Sequence, residues 1–197
     1  MRRLLFATAN AGKQGEVRRL LAGLPFELAF PSDLGLDLDV EESGASFLEN
    51  ARLKARAYAA AAPGFWVAAE DSGLVVPALG GEPGVLSARW GGTRDDAAHN
   101  ALLLERLEGR RGASRAARYE AAVVLLDPGG AERSFAGRAE GAIAESPVGS
   151  GGFGYDPLFY SPELGCTFAQ ASAADKDRLS HRGRALRALR VWLEAAP

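Results

Sequence analysis

Residues 65–73 read FWVAAEDSG: five apolar residues run without a break into two carboxylates, a serine and a glycine. Phe65 to Ala69 is short, continuous and apolar, as a central strand buried on both faces should be. Asp71 follows that strand, where α/β proteins place functional groups. The competing reading is that Asp71 caps a turn through Ser72 and Gly73 and has no further role.

Upstream, Ser46 and Glu49 have the spacing of a capping box. The helix they open runs to about Ala62, before Pro63, with Phe47, Ala51, Ala55 and Tyr58 on one face. Nearer the N-terminus, Leu4 to Ala7 reads as a short buried strand, Gly12 to Ala22 as a helix stopped by Gly23, and Phe26 to Phe30 as a second strand. Downstream, the glycine-rich stretch from Gly80 to Gly92 reads as a structured loop, and Asp95 to Leu107 as a helix. Tyr119 to Leu126 and Ala131 to Gly137 flank Asp127-Pro128-Gly129-Gly130, which predicts an antiparallel hairpin. Ser172 and Asp175 repeat the capping-box spacing, and a last helix from about Ser180 to Leu193 buries Leu186, Leu189 and Leu193. Strands mixed with helices, plus a hairpin, predict an α/β protein with a mixed β-sheet. With no repeat, low-complexity tail or linker, residues 1–197 read as a single domain.

Composition narrows the function classes. A hydrophobic fraction of 47% and a charged fraction of 24% are those of a globular chain. The formal net charge of −2 argues against a protein that coats nucleic acid, which needs a dominant basic face. The single cysteine, Cys166, excludes an internal disulfide and a multi-cysteine zinc site, and fits a reducing compartment. No apolar run approaches the roughly 18 residues of a membrane helix. Arg2 and Arg3 precede an apolar stretch that ends at Thr8 and Asn10, too short for a signal peptide. The expectation is a cytoplasmic protein with no membrane and no nucleic-acid partner.

Four segments carry candidate chemistry. The first is FATANAGK, residues 6–13, between a strand and a helix, where unpaired N–H groups and the helix dipole suit phosphate. Thr8 and Asn10 add neutral polar groups and Lys13 a charge. It is not a Walker A loop, because Ala7 replaces its first glycine and Gln14 its Ser or Thr. The plainer reading is a strand–turn–helix with a solvated lysine. The second is the pair of acidic sites Glu41-Glu42 and Glu70-Asp71; Mg²⁺ is a hard cation held by few carboxylates plus water and phosphate oxygens. The plainer reading there is a solvated acidic loop and a capped turn. The third is Lys54, at the border of the apolar stripe with Asn50 one turn earlier; it either snorkels to water or points into a charged cleft. The fourth is Phe153-Gly154-Tyr155-Asp156 with Lys176 and Ser180-His181-Arg182, an aromatic, an acceptor and several donors of the kind a nucleobase pocket needs. At a helix start His181 is disfavoured from protonation and suits a neutral donor. The plainer reading is that Arg182, Arg184, Arg187 and Arg190 form a solvated basic face.

These segments and the loop at 79–90 occur together and in order, as six motifs: TANAGK (8–13), EESGASFLENARLKA (41–55), EDSGL (70–74), LGGEPGVLSARW (79–90), GFGYDP (152–157) and SHRGRAL (180–186). With these motifs spanning essentially the whole chain, it resembles the inosine/xanthosine triphosphate pyrophosphatase family, house-cleaning enzymes that remove deaminated purine nucleotides. The resemblance implies an elongated mixed sheet flanked by helices, two lobes with the active-site cleft between them, and a homodimer. It implies Mg²⁺-dependent hydrolysis of ITP, dITP and XTP to monophosphate and pyrophosphate. Carried over by position, Thr8, Asn10 and Lys13 grip the triphosphate and Lys54 adds charge there. Glu41 and Asp71 hold the metal, Asp71 also serves as general base, and Ser72 contacts the substrate. Phe153, Gly154, Tyr155, Asp156, Lys176, His181 and Arg182 form the nucleotide and base pocket. The chain departs from the family's usual pattern at Ser43, Ala45, Glu70 and Asp177. Two rivals stay open: a similarly folded Maf-like pyrophosphatase acting on pyrimidine or modified bases, and a nucleotide-binding module without turnover.

Overall fold

The computed structural model describes residues 2–196. In chain order, the first half comprises β1 (Arg2–Phe6), α1 (Ala11–Leu20), β2 (Phe26–Ala29), α2 (Phe47–Ala61) and β3 (Trp66–Val75). Then come α3 (Asp96–Arg106), β4 (Ala116–Leu126), β5 (Glu132–Ile143), β6 (Phe159–Ser161), β7 (Cys166–Thr167), α4 (Ala173–Leu179) and α5 (His181–Ala195). The strands form a seven-stranded sheet in the order β2-β1-β3-β4-β5-β6-β7. It is mixed: β1 is parallel to β2 and β3, whereas β6 is antiparallel to β5 and β7. The expected mixed α/β sheet is therefore present.

The chain divides into two compact units, each assembled from separated segments. The first takes the residues up to Asp71, Ala121–Gly137 and those from Arg182 on; the second takes Ser72–Glu120 and Arg138–His181. In the first unit the alternation of side chains along a strand sorts the core into two layers. Leu4, Phe6, Ala68, Ala121, Val123 and Leu125 pack with Val17 of α1 and with Leu186, Leu189 and Leu193 of α5. Their odd or even neighbours Leu5, Ala7, Val67, Ala69, Val124 and Leu126 pack with Ala51, Ala55 and Tyr58 of α2. A sheet covered on both faces is why the end of β1, Leu4–Phe6, and the start of β3 are apolar without alternation. The second unit has its own core, in which Leu103 and Leu107 meet Leu74, Val76, Tyr119, Ile143, Phe159 and Phe168.

The local signals mostly hold. Ser46 accepts from the Glu49 N–H at 3.2 Å and opens α2, and Ser172 accepts from the Asp175 N–H at 3.1 Å and opens α4. The turn Asp127–Gly130 closes with a 2.9 Å bond from the Gly130 N–H to the Asp127 carbonyl, but β4 and β5 reach past the predicted hairpin, to Ala116 and Ile143. The main correction concerns the deciding stretch. Glu70–Gly73 is no turn; β3 continues through it to Val75. Two acidic side chains stay in a buried strand because each meets a cation from a neighbouring helix, which removes the reading of Asp71 as a turn cap.

Candidate active site

Consecutive residues of a strand point to opposite faces, so Glu70 and Asp71 take different hydrogen-bond partners. Asp71 shares the α2 face with Val67 and Ala69. Its Oδ1 accepts from Lys54 Nζ at 3.1 Å and its Oδ2 from Asn50 Nδ2 at 3.2 Å. Lys54 and Asn50 are one helical turn apart on α2, the spacing that brings two side chains to one spot. Lys54 Nζ also donates to Glu42 Oε1 at 2.6 Å, so Glu42 and Asp71 face each other across one ammonium. Asn50 is fully buried, and its Oδ1 accepts from the Gly44 N–H at 2.8 Å, tying the acidic segment to α2. A Cβ on Gly44 would come within 2.7 Å of both Asn50 Oδ1 and Glu49 Cβ, so this approach requires glycine. Glu41 is exposed and stands outside the set; it is Glu42 that turns toward Asp71.

Burial pushes the Asp71 carboxyl above the ordinary aspartate range, with Lys54 and Lys13 pulling the other way. Burial also opposes the charge on Lys54, but Asp71 and Glu42 together outweigh it and hold the ammonium above its usual pKa. Among the described residues no three His, Cys, Asp or Glu side chains converge as a ready metal cage. The donor set nonetheless fits Mg²⁺, which takes one or two carboxylates and completes its shell with water and phosphate oxygens.

Glu70 belongs to the α1 and α5 face. Its carboxylate accepts from Arg182 Nε at 3.1 and 3.0 Å, and Lys13 Nζ lies 3.4 Å away. Arg182 Nη1 also donates to Glu16, one turn beyond Lys13 on α1. Burial opposes the charge on Arg182, but Glu70 and Glu16 hold its guanidinium firmly protonated. Burial is also the main reason the Lys13 ammonium sits below its ordinary pKa, with Glu70 partly restoring it. The loop before Lys13 is ordered locally: Thr8 Oγ1 accepts from the Asn10 N–H at 3.3 Å, and Asn10 Oδ1 caps α1 through the Lys13 N–H at 2.9 Å.

The second unit holds the other expected residues. Asp156 is buried; its Oδ2 accepts from the Phe153 N–H at 2.9 Å and from Lys176 Nζ. Lys176 Nζ also lies 4.7 Å from the Phe153 ring centre, a cation–π approach. A Cβ on Gly152, whose φ is +72°, would run into the Asp156 carboxylate. Tyr155 is buried, and its hydroxyl donates to the Ser87 carbonyl at 3.0 Å. Burial raises that phenol's pKa, with Asp96 adding to it. The His181 ring stacks on Tyr119 with centres 4.5 Å apart and 8° between planes. Ser72 is half-buried on β3, next to Asp71.

Of the twelve substrate-binding residues expected from the sequence, Lys13, Lys54 and Arg182 are thus drawn to the Glu70–Asp71 pair, and Phe153, Asp156 and Lys176 to one another. Sequence reasoning placed Glu42 in the acidic pair with Glu41, leaving its share of the metal open, and noted Asn50 one turn from Lys54, but it gave Glu16 no role. For Glu16 the available signal was helical spacing, three residues from Lys13.

Residues 4–192 match the model of the Ham1 family. A dITP/XTP pyrophosphatase of Thermus thermophilus is 52% identical over 187 residues, covering 95% of this chain and 89% of that protein. A dITP/XTP pyrophosphatase of Xylella fastidiosa is 48% identical over 198 residues and covers 98% of each. The solved structure of a HAM1 protein from Coxiella burnetii superposes with a TM-score of 0.88 over 100% of both chains, at 36% identity.

Proposed function

Because the chain belongs to the Ham1 family, we propose that it hydrolyses ITP, dITP and XTP to the nucleoside monophosphate and pyrophosphate, clearing deaminated purines from the nucleotide pool. The observation that carries the reading is Asp71, a buried carboxylate held from both sides by Lys54 and Asn50 and facing Glu42 across the lysine, in a chain that matches the family almost end to end.

The triphosphate end of the substrate is assigned to Thr8, Asn10, Lys13 and Lys54, with Ser72 as a further contact. Asp71 and the Glu41–Glu42 pair supply the carboxylates for Mg²⁺, Glu42 being the one already turned toward Asp71. When bound, Mg²⁺ supplies charge screening for the phosphates and Lewis-acid polarisation of the attacked phosphorus. A water oxygen attacks the α-phosphorus, the bond to the α–β bridging oxygen breaks, and Asp71 takes the water's proton. Lys13 and Lys54 balance the charge that leaves with pyrophosphate. Asn50 fixes the Asp71 carboxyl so that one oxygen keeps its orientation toward the water.

The base end is assigned to Phe153, Gly154, Tyr155, Asp156, Lys176 and His181, with Arg182 following in the chain. Hypoxanthine and xanthine offer a carbonyl at the six position that donors there satisfy; adenine offers an amino group that leaves those donors unpaired, a basis for strong rejection. The assembly is a homodimer, for which light scattering at twice the chain mass is the expected result. The compartment is the cytoplasm, in keeping with one unpaired cysteine and a nucleotide substrate.

The deciding experiment incubates the purified protein with Mg²⁺ and, separately, ITP, XTP, dITP, ATP, GTP and TTP. Monophosphate and pyrophosphate from the first three, with the rest nearly untouched, is expected. Orthophosphate release would refute the bond assignment, and preference for TTP would refute the base assignment. Asp71→Asn should cut turnover by about 10²–10⁴.

A further inference from the structure

The glycine at the centre of the GFGYD segment is gripped by a helix that contributes no residue to the site described above. The Asp96 carboxylate, in the first turn of α3, accepts from the Gly154 N–H at 2.6 Å. One turn on, Asn100 Nδ2 donates to the Gly154 carbonyl at 2.9 Å and to the Asp96 carbonyl at 2.8 Å. Between them His99, buried, lies over the next residue, Tyr155, with ring centres 5.8 Å apart and 24° between planes. Its Nε2 is 3.0 Å from the Thr93 carbonyl, which fixes the ring's edge. Positions 96, 99 and 100 share one face of a helix, so a single turn and a half of α3 holds both backbone polar groups of Gly154 and the ring of its neighbour.

Gly154 needs such a hold. Its φ of +63° lies in the left-handed region, and glycine has more conformations to lose than any other residue. The clamp is itself anchored: Leu103 and Leu107 are fully buried, and Arg115 ties the far end of α3 by donating to the Leu107 carbonyl at 3.1 Å and the Ile143 carbonyl at 2.7 Å. The Asn100 carboxamide oxygen is buried without a hydrogen bond. A free-standing core would not keep such an acceptor, which costs stability unpaired. Its retention is explained by the two carbonyls that the amide nitrogen must reach.

We propose that Asp96 and Asn100 are positioning residues that set the Gly154 backbone, and through it Phe153 and Asp156, for binding the purine. The inference rests on the base assignment made under Proposed function, but its structural half does not. Both residues act before the chemical step, so they govern KM and leave kcat alone.

The test pairs kinetics with hydrogen exchange. Asp96→Ala and Asn100→Asp are prepared; the second puts an acceptor against two carbonyls at unchanged size. Each should raise KM for dITP about tenfold, the value of one charge-assisted hydrogen bond, with kcat within about twofold. Asp96→Asn, whose amide oxygen still accepts from Gly154, should restore KM. Exchange of the backbone amides of residues 150–156 should speed up in Asp96→Ala and Asn100→Asp and return to normal in Asp96→Asn. An unchanged KM, a fall in kcat without a change in KM, or a failure of Asp96→Asn to rescue would overturn the proposal. Unchanged exchange would overturn it whatever the kinetics. If the parent protein does not turn over dITP, the functional reading has failed, and exchange alone decides the clamp.

Discussion

Replacing Arg182 with methionine probes the Glu16–Arg182–Glu70 network as a structural unit. The guanidinium is 2% exposed and its two carboxylate partners sit at 5% and 2%, so none of the three is effectively screened by water. Removing one member of a buried ion pair costs about 3–5 kcal/mol, mostly because the remaining charge is left unpaired. Glu70 keeps Lys13 at 3.4 Å, so the lower end of that range, about 3 kcal/mol, is expected. With a urea slope of roughly 1–3 kcal/mol per molar for small proteins, the midpoint falls by about 1 M or more. The assay is urea denaturation followed by both tryptophan fluorescence and far-UV circular dichroism, with coincident curves as the condition for reading a free energy. The companion Glu16→Gln/Glu70→Gln/Arg182→Met removes the three charges of Glu16, Glu70 and Arg182 at similar volume, leaving Lys13, and should be more stable than Arg182→Met alone. A midpoint shift below about 0.3 M, or a triple variant less stable than the single one, would show that the buried charges are not coupled as described.

Three further outcomes follow from the same geometry. Arg115 donates to the carbonyls of Ile143, Leu107 and Ala144, so Arg115→Met leaves two buried acceptors and one half-buried acceptor short and should cost about 3 kcal/mol by urea denaturation. A loss under about 1 kcal/mol would mean that water replaces the guanidinium. Gly152→Ala forces a Cβ toward Asp156 at a φ of +72°, which should displace Asp156 from Phe153 and Lys176 and raise KM for dITP with little effect on tripolyphosphate cleavage; equal effects on both substrates would sink that link. Asn50→Ala frees both Asp71 and the Gly44 backbone, and should lower kcat about tenfold for the loss of one orienting hydrogen bond. Unchanged kcat would remove Asn50 from the machinery.

Much of the fold was legible because its signals are local. A helix cap is a contact between residues three apart, and Ser46 and Ser172 cap where their spacing says. The apolar stripe of the last helix is set by its own period, and Leu186, Leu189 and Leu193 are all fully buried. The continuous apolar run at 65–69 marked a strand covered on both faces, as the two layers around β3 bear out. The strand's true end was not legible. Glu70 and Asp71 read as a break only while their partners are unknown, and those partners lie 17 residues away at Lys54 and 112 away at Arg182.

Sequence by itself determined the elements, the α/β class and the identity of the acidic pair, since each depends on residues a few positions apart or on a motif order preserved along the chain. Tertiary structure alone decided that Glu70 and Asp71 serve opposite faces, that Glu42 rather than Glu41 turns to Asp71, and that Arg182 is held between two carboxylates. It alone brought α3 to Gly154, across 58 residues of chain. The physical reason is that a strand's pleat and a helix's facing are local properties, whereas the pairing of buried charges is fixed only when packing brings distant segments together and excludes the water that would otherwise satisfy each charge separately.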